Sequence, residues 1–177
     1  NSTIWFGLVF RERSVSFEDL VSGEVIWKNM SRSVYGWALL LKNVTVLGWD
    51  IISFSSNITV NYSELGWVFA YYRSIIILRF SSASLLRLTH NSTSRISNCM
   101  IGSIYSSGRS NLLVTRATIG SVYVLGESKV VISEVVCEIV AGMATGGQIE
   151  IHNSYCGYVA AIENVTIFVD NSILTAY

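Results

Sequence analysis

The apolar positions of this chain fall into columns. Nine-residue phrases beginning at Ile96, Val114, Ile132, Ile151 and Val169 read ISNCMIGSI, VTRATIGSV, ISEVVCEIV, IHNSYCGYV and VDNSILTAY, at steps of 18, 18, 19 and 18. Five residues after each anchor stand Ile101, Ile119, Cys137, Cys156 and Leu174, and eight residues after it Ile104, Val122, Val140, Val159 and Tyr177. Two residues before it the column is Ser94, Leu112, Val130, Ile149 and Ile167. The positions just after the anchors are polar: Ser97-Asn98, Thr115-Arg116, Ser133-Glu134, His152-Asn153 and Asp170-Asn171. Columns that keep their polarity at a fixed period mean one structural unit stacked on itself in register.

A period near 18 is too short for a strand plus a crossover helix, which takes about 30 residues. It suits two or three short strands joined by bends, one rung of a parallel β-solenoid. β-Branched and aromatic residues are abundant, as a pleated surface favours. Gly102, Gly120 and Gly157 are expected beside bends, where a positive φ is easily reached. Upstream the phasing predicts anchors at Val46, Val60 and Phe80, with gaps of 14, 20 and 16 residues on the way to Ile96. Val46 carries Ile51 and Phe54, Val60 carries Leu65 and Val68, and Phe80 carries Leu85 and Leu88. Before Val46 the pattern fades; Ile26–Val34 reads as one more rung and Ile4–Phe10 as an opening strand. The expectation is an all-β, single-stranded parallel β-helix over 1–177, with rungs of about 14–20 residues, regular from about 44 and less regular over 1–43.

Over residues 76–177 this rung pattern resembles that of right-handed parallel β-helix proteins, the architecture of pectate lyases, phage tailspikes and many surface proteins. The resemblance is to an architecture and to no single family. It implies a right-handed coil, in line with the general handedness of parallel connections. A β-sandwich or jelly roll is the alternative, since short strands and turn residues suit it too. Such a fold has no reason to repeat columns in register.

Composition narrows the function. The formal net charge is +0 and only 14% of residues are charged, unlike a nucleic-acid binder with its basic stripe. Hydrophobic residues make up 51% and the mean hydropathy is +0.47. No apolar run approaches the ~18 residues of a membrane span; Trp37–Leu41 and Ile75–Leu78 stop at Lys42 and Arg79. Several strands do not alternate as a one-sided strand should. Trp37–Leu41, Val68–Tyr72, Ser74–Leu78 and Glu134–Val140 place apolar groups on both faces. A local bulge or an inner layer would explain one such run. Their recurrence favours an outer face packed on another subunit. Trp5, Trp27, Trp37, Trp49, Trp67, Tyr71 and Tyr72 fit core filling, subunit contact or a sugar-stacking surface, and subunit contact is favoured. The chain holds no proline to protect strand edges. No charged capping helix is evident, and the last phrase runs to Tyr177. Head-to-tail stacking of uncapped solenoids is therefore expected.

Seven of the 11 asparagines open an Asn-x-Ser/Thr triplet: Asn1, Asn29, Asn43, Asn57, Asn61, Asn91 and Asn164. Ser and Thr fill about a fifth of the chain, so chance would give roughly two such triplets. Short polar residues suit solenoid bends, but the excess points to N-linked glycans and so to an extracellular or cell-surface location. A chain that opens on Asn1 fits a processed secreted protein or a fragment. Of the 3 cysteines, Cys137 and Cys156 share a column on adjacent rungs. Stacked strands lie about 4.8 Å apart, within the ~4.4–6.8 Å that a disulfide spans. A rung-to-rung disulfide is one reading and two buried thiols the other. Cys99 is left over, either buried or available to cross-link subunits. No Cys/His cluster suggests zinc, and no cofactor is expected.

Chemistry-bearing residues are sparse. Asp19, Asp50 and Asp170 fall on distant rungs; Glu134 and Glu138 share one, with Glu150 near the next. Two carboxylates ~5–9 Å apart can cleave glycosides, but no arginine or lysine constellation accompanies these, and they read as a solvated face. His90 and His152 have no serine or cysteine partner, and Gly142–Gly147 lacks the lysine of a phosphate loop. The expected function is that of a structural subunit of an extracellular, N-glycosylated filament, pilus-like fibre or sheath, a homopolymer rather than an enzyme. The alternative is a secreted carbohydrate-binding or polysaccharide-cleaving β-helix domain.

Overall fold

The computed structural model describes residues 14–17, 32–35, 38–42, 45–55, 57–143 and 146–176. The segment Ile4–Phe10, Asn1, Asn29, Asn43, Trp5, Trp27, Trp37 and most of Ile26–Val34 lie outside them. Short strands alternate with longer ones. The short series is β1 (Ser14–Phe17), β3 (Ala38–Lys42), β5 (Asn57–Asn61), β7 (Ile75–Arg79), β9 (Thr93–Ser97), β11 (Asn111–Thr115), β13 (Lys129–Ser133), β15 (Gln148–His152) and β17 (Thr166–Asp170). The long series is β2 (Arg32–Tyr35), β4 (Thr45–Phe54), β6 (Glu64–Tyr71), β8 (Ser82–Leu88), β10 (Met100–Ser107), β12 (Thr118–Leu125), β14 (Val136–Met143), β16 (Tyr155–Ile162) and β18 (Ile173–Ala176). Each series forms its own nine-stranded sheet in sequence order. Each strand pairs in parallel with the strands two places before and after it, as in Ile96↔Val114↔Ile132 and Ile101↔Ile119↔Cys137. The molecule is a parallel β-solenoid, not a sandwich, and no helix occurs among the described residues.

The columns read from the C-terminal phrases are the columns of the structure. The upstream anchors need correcting. Val60 pairs with Leu78 and Leu78 with Ile96, so the place assigned to Phe80 belongs to Leu78. Leu41, not Val46, pairs with Val60, and Val46 pairs with Leu65. Rungs of 14, 16 and 20 residues therefore do not occur here. From Asn57 onward the pairs Asn57↔Ile75, Ile75↔Thr93, Thr93↔Asn111 and Asn111↔Lys129 all advance by 18, and Lys129↔Gln148 by 19. Phe80 is 51% exposed, and an exposed aromatic had imitated an inward one.

Each coil has three inward-facing stretches, seen in Ser94 and Ile96, Cys99 and Ile101, and Ile104 and Ser106, all buried. Ile101 and Ile104 are both inward although three apart, because the long strand kinks at Gly102. The glycines expected beside bends in fact sit at this kink inside the strands. A Cβ at Gly120 would lie 2.5 Å from the Gly102 carbonyl oxygen, and one at Gly157 2.8 Å from that of Glu138. Close backbone approach between coils, not a positive φ, is what favours glycine there.

Left-handed residues make the two corners. At the first, Tyr62, Phe80, Asn98, Arg116, Glu134, Asn153 and Asn171 have φ between 45° and 56°. Such angles are uncommon outside glycine. In all but Asn171 they aim the backbone N–H at a carbonyl one coil on, as Tyr62 N–H donates to Arg79 O at 3.1 Å. At the second corner a buried serine follows four successive turns, and Gly147 and Val165 take its place in the next two. Ser74, Ser92, Ser110 and Ser128 donate to the carbonyls of Tyr71, Thr89, Ser107 and Leu125 at 2.7, 2.6, 2.7 and 3.1 Å. These bonds satisfy carbonyls that the turns would leave without partners.

Candidate functional site

The outward positions of the long strands beyond the kink form one continuous face. From Trp67 on β6 to Ile162 on β16, its charged residue is Arg87. Trp67, Phe69 and Tyr71 begin it, with Trp67 51% exposed and edge-on to Phe69 at 6.3 Å between centroids. Tyr105 and Tyr123 stack at 4.8 Å in its middle. Ile139, Met143, Tyr158 and Ile162 close it, the last 54% exposed. Of the non-alternating runs noted in the sequence, those over Val68–Tyr72, Ser74–Leu78 and Glu134–Val140 do put apolar side chains on both sides of a strand, and Trp37–Leu41 lies outside the described side chains. Ile75 and Val136 are 41% and 53% exposed while Ile76 and Cys137 are buried. The remaining outer surfaces are more polar, with Arg79, Arg95, Lys129, Glu150 and Asp170 on the short-strand sheet.

The four sequons within the described residues avoid the apolar face. Asn57 opens β5 and is exposed; Asn61 closes it, half-buried. Asn91 and Asn164 are exposed in turns of the second corner. Two of the four thus lie at the ends of a strand rather than in bends.

Cys137 and Cys156 are register partners, as their shared column implies. All three cysteines are buried free thiols, with no bond between Cys137 and Cys156. Burial, with the neighbouring Cys156 adding, pushes the Cys137 thiol up to about 12. Burial also raises those of Cys156 and Cys99. Such thiols are poor nucleophiles and poor ligands. The cysteines fill core columns, and Cys99 takes the place that Ser81 and Ala117 hold in neighbouring coils.

The carboxylates are scattered among cations. Glu134 meets Arg116 at 2.9 Å on the first corner, and Glu150 meets Lys129 at 2.7 Å on the short-strand sheet. The Lys129 hydrogen bond holds the Glu150 carboxyl below its ordinary range, with His152 contributing at 3.8 Å. That environment favours the ionised form, the reverse of what a proton-donating acid needs. His152 lies between Glu150 and Asp170, 3.7 Å from the latter. Among the described residues no group of three or more His, Cys, Asp or Glu could hold a metal ion, and no helix is long and apolar enough to cross a membrane.

Sequence reasoning did not find the trough along the second corner. Its walls come from five successive turns, separate in sequence but stacked in space, including Tyr72, Arg73, His90, Asn91, Arg109 and Glu127. The repeat does encode it: these residues are spaced by 18, in the two positions before each buried serine.

No family model, no curated protein and no solved structure matches this chain.

Proposed function

We propose that the chain is a structural subunit of an extracellular, N-glycosylated filament or sheath, in which copies pack laterally through the apolar face of the long strands. The observation that carries this reading is that face itself, rich in tyrosine and aliphatic residues, with Trp67 and Met143 on it and Arg87 as its charge. Aromatic residues and methionine are enriched, and charge depleted, at the cores of protein interfaces. Two copies meeting through this same face would form an isologous, two-fold contact. Strand stacking adds the second contact. In the last described coil Val169 is 37% exposed and Leu174 only half-buried, although their partners in the preceding coil, Ile151 and Cys156, are fully buried. A further coil, from this chain or from the next copy, fits that surface. Glycans at Asn57, Asn91 and Asn164 stand clear of the apolar face and leave it free to pair.

The test is the assembly state of the secreted material. Negative-stain imaging and sedimentation velocity should show fibres or lateral oligomers for the native chain. Tyr105→Arg with Tyr123→Arg should shift it to monomer. A native chain that stays monomeric at high concentration overturns the reading. Intact mass spectrometry reads glycan occupancy independently, and an unmodified mass from a glycosylating host removes that part.

A further inference from the structure

At the second corner a column of side chains stops short. Tyr72 and His90 stack there with centroids 4.6 Å apart. One and two coils on, the same place holds Gly108 and Gly126. The backbone does not demand glycine at either. Their φ values are 59° and 68°, and Tyr72, His90 and Glu163 adopt 50°, 54° and 67° at matching turns. A Cβ at Gly108 would lie 3.3 Å from the His90 backbone nitrogen, a tight contact, and one at Gly126 would meet its nearest atom at 3.5 Å, an ordinary one. Non-glycine residues occupy the matching turns, yet no side chain is present at these two. The slot is part of an open trough of about 840 Å³, within the range of about 300–1,000 Å³ typical of small-molecule sites.

The neighbouring column supplies the polar groups. It runs Arg73, Asn91, Arg109 and Glu127, with the Arg109 Nε donating to Glu127 Oε2 at 2.6 Å. The ion pair offers donors and a carboxylate acceptor side by side while cancelling its own charge. Asn91 adds both an amide donor and a carbonyl acceptor. An aromatic ring beside mixed donors and acceptors of little net charge suits a ligand with one apolar C–H face and a rim of hydroxyls. A phosphate would find a carboxylate in its way.

We propose that this trough binds a carbohydrate. A pyranose ring takes the place vacated at Gly108, continuing the Tyr72–His90 stack. Its hydroxyls bond to Arg109, Glu127 and Asn91. Two sources share this chemistry: an oligosaccharide from outside, or the sugar chain on Asn91 itself. The second source rests on the glycosylation reading above; the first does not.

The experiment uses the full chain in two forms, one made in a host that does not N-glycosylate and one made in a host that does. Each is applied to an array of neutral oligosaccharides. The best binder is then titrated while the His90 ring resonances are followed. Saturable binding to the glycan-free form is expected. It should weaken at least tenfold in Gly108→His, which fills the slot, and in Glu127→Gln, an exposed change that leaves the coil intact. If the glycosylated form binds as well, the ligand comes from outside. If it does not bind and Thr93→Ala, which removes the triplet but keeps Asn91, restores binding, the chain's own glycan occupies the trough. No array sugar bound by the glycan-free form, or binding unmoved by both substitutions, overturns the site while leaving filament assembly untouched.

Discussion

Replacing Ser94 by valine should make this protein more stable. Ser94 is fully buried on β9, and its Oγ has no hydrogen-bond partner. Its column is otherwise aliphatic, with Ile76 in the preceding coil and Leu112 in the next. Ser106, on the same coil, is also buried without a partner, between Leu88 and Val124. This one coil therefore replaces two aliphatic side chains by hydroxymethyl groups, and its core is both smaller and more polar than its neighbours'. An unsatisfied buried hydroxyl costs about 1–3 kcal/mol. The added methyl of valine contributes about 0.8 kcal/mol of transfer free energy. Overpacking would offset about 1–3 kcal/mol where space is lacking, but larger residues fit the same column one coil away on either side. A net gain of about 2 kcal/mol follows, and for a chain of this length that raises Tm by about 4–8 °C. Thermal unfolding followed by circular dichroism, with urea midpoints as a check, measures it. Ser106→Val should add to the effect independently, since no hydrogen bond joins the two hydroxyls. A loss of 1 kcal/mol or more in Ser94→Val would refute the reasoning. Strong coupling in the double mutant would show that the two hydroxyls share a partner, such as a buried water.

Three further outcomes are expected. Ile119→Asp should abolish folding, because it puts an unpaired charge in a fully buried column; normal strand content by circular dichroism would contradict the column assignment. The native thiols should resist alkylation and react on unfolding. Because the Cys137 thiol titrates near 12 when folded against 9.0 as its ordinary value, its contribution to stability is complete below pH 9 and declines as pH rises toward 12, so Cys137→Ala should flatten the alkaline limb of a stability profile. The Glu150 carboxyl is depressed, so its contribution is present above the ordinary carboxylate range and lost as pH falls through its lowered value. Glu150→Gln should reduce the acid-side slope by well under 1 kcal/mol in total, as befits a largely exposed pair, and a larger change would point to a role beyond the Lys129 contact.

The C-terminal repeat disclosed the fold because residues such as Ile96, Val114 and Ile132 are inward and have aliphatic neighbours in every coil. Upstream, the same logic misread Phe80 and Val46. Phe80 is apolar but stands outside on a left-handed corner, stacked on Tyr62 with centroids 5.1 Å apart. Polarity alone cannot separate a corner aromatic from a core one. The kink misled in another way: it sets two inward residues three apart, so strict alternation fails in each long strand. The apolar face was legible only in part, through Phe69, Tyr71 and Ile139 in runs without alternation; Tyr105, Tyr123 and Tyr158 lie outside those runs, and the run at Ile75–Leu78 belongs to the short-strand sheet. The trough was not, because Tyr72, His90 and Glu127 have no meaning until the period brings their turns together.

A backbone that advances by 18 residues from Asn57 to Lys129 can change length only in whole steps. Excising residues 93–110 would join Ser92 to Asn111 and set Asn111 opposite Ile75, every later residue keeping its side and its partner. Losing a single residue inside β11 would turn an inside-out strand into the stack. The step of 19 at the turn between β14 and β15, like the one from Ala38 to Asn57, shows where an extra residue is absorbed. Gene duplication or loss in this lineage thus has a natural quantum, and molecules of different heights can share one cross-section.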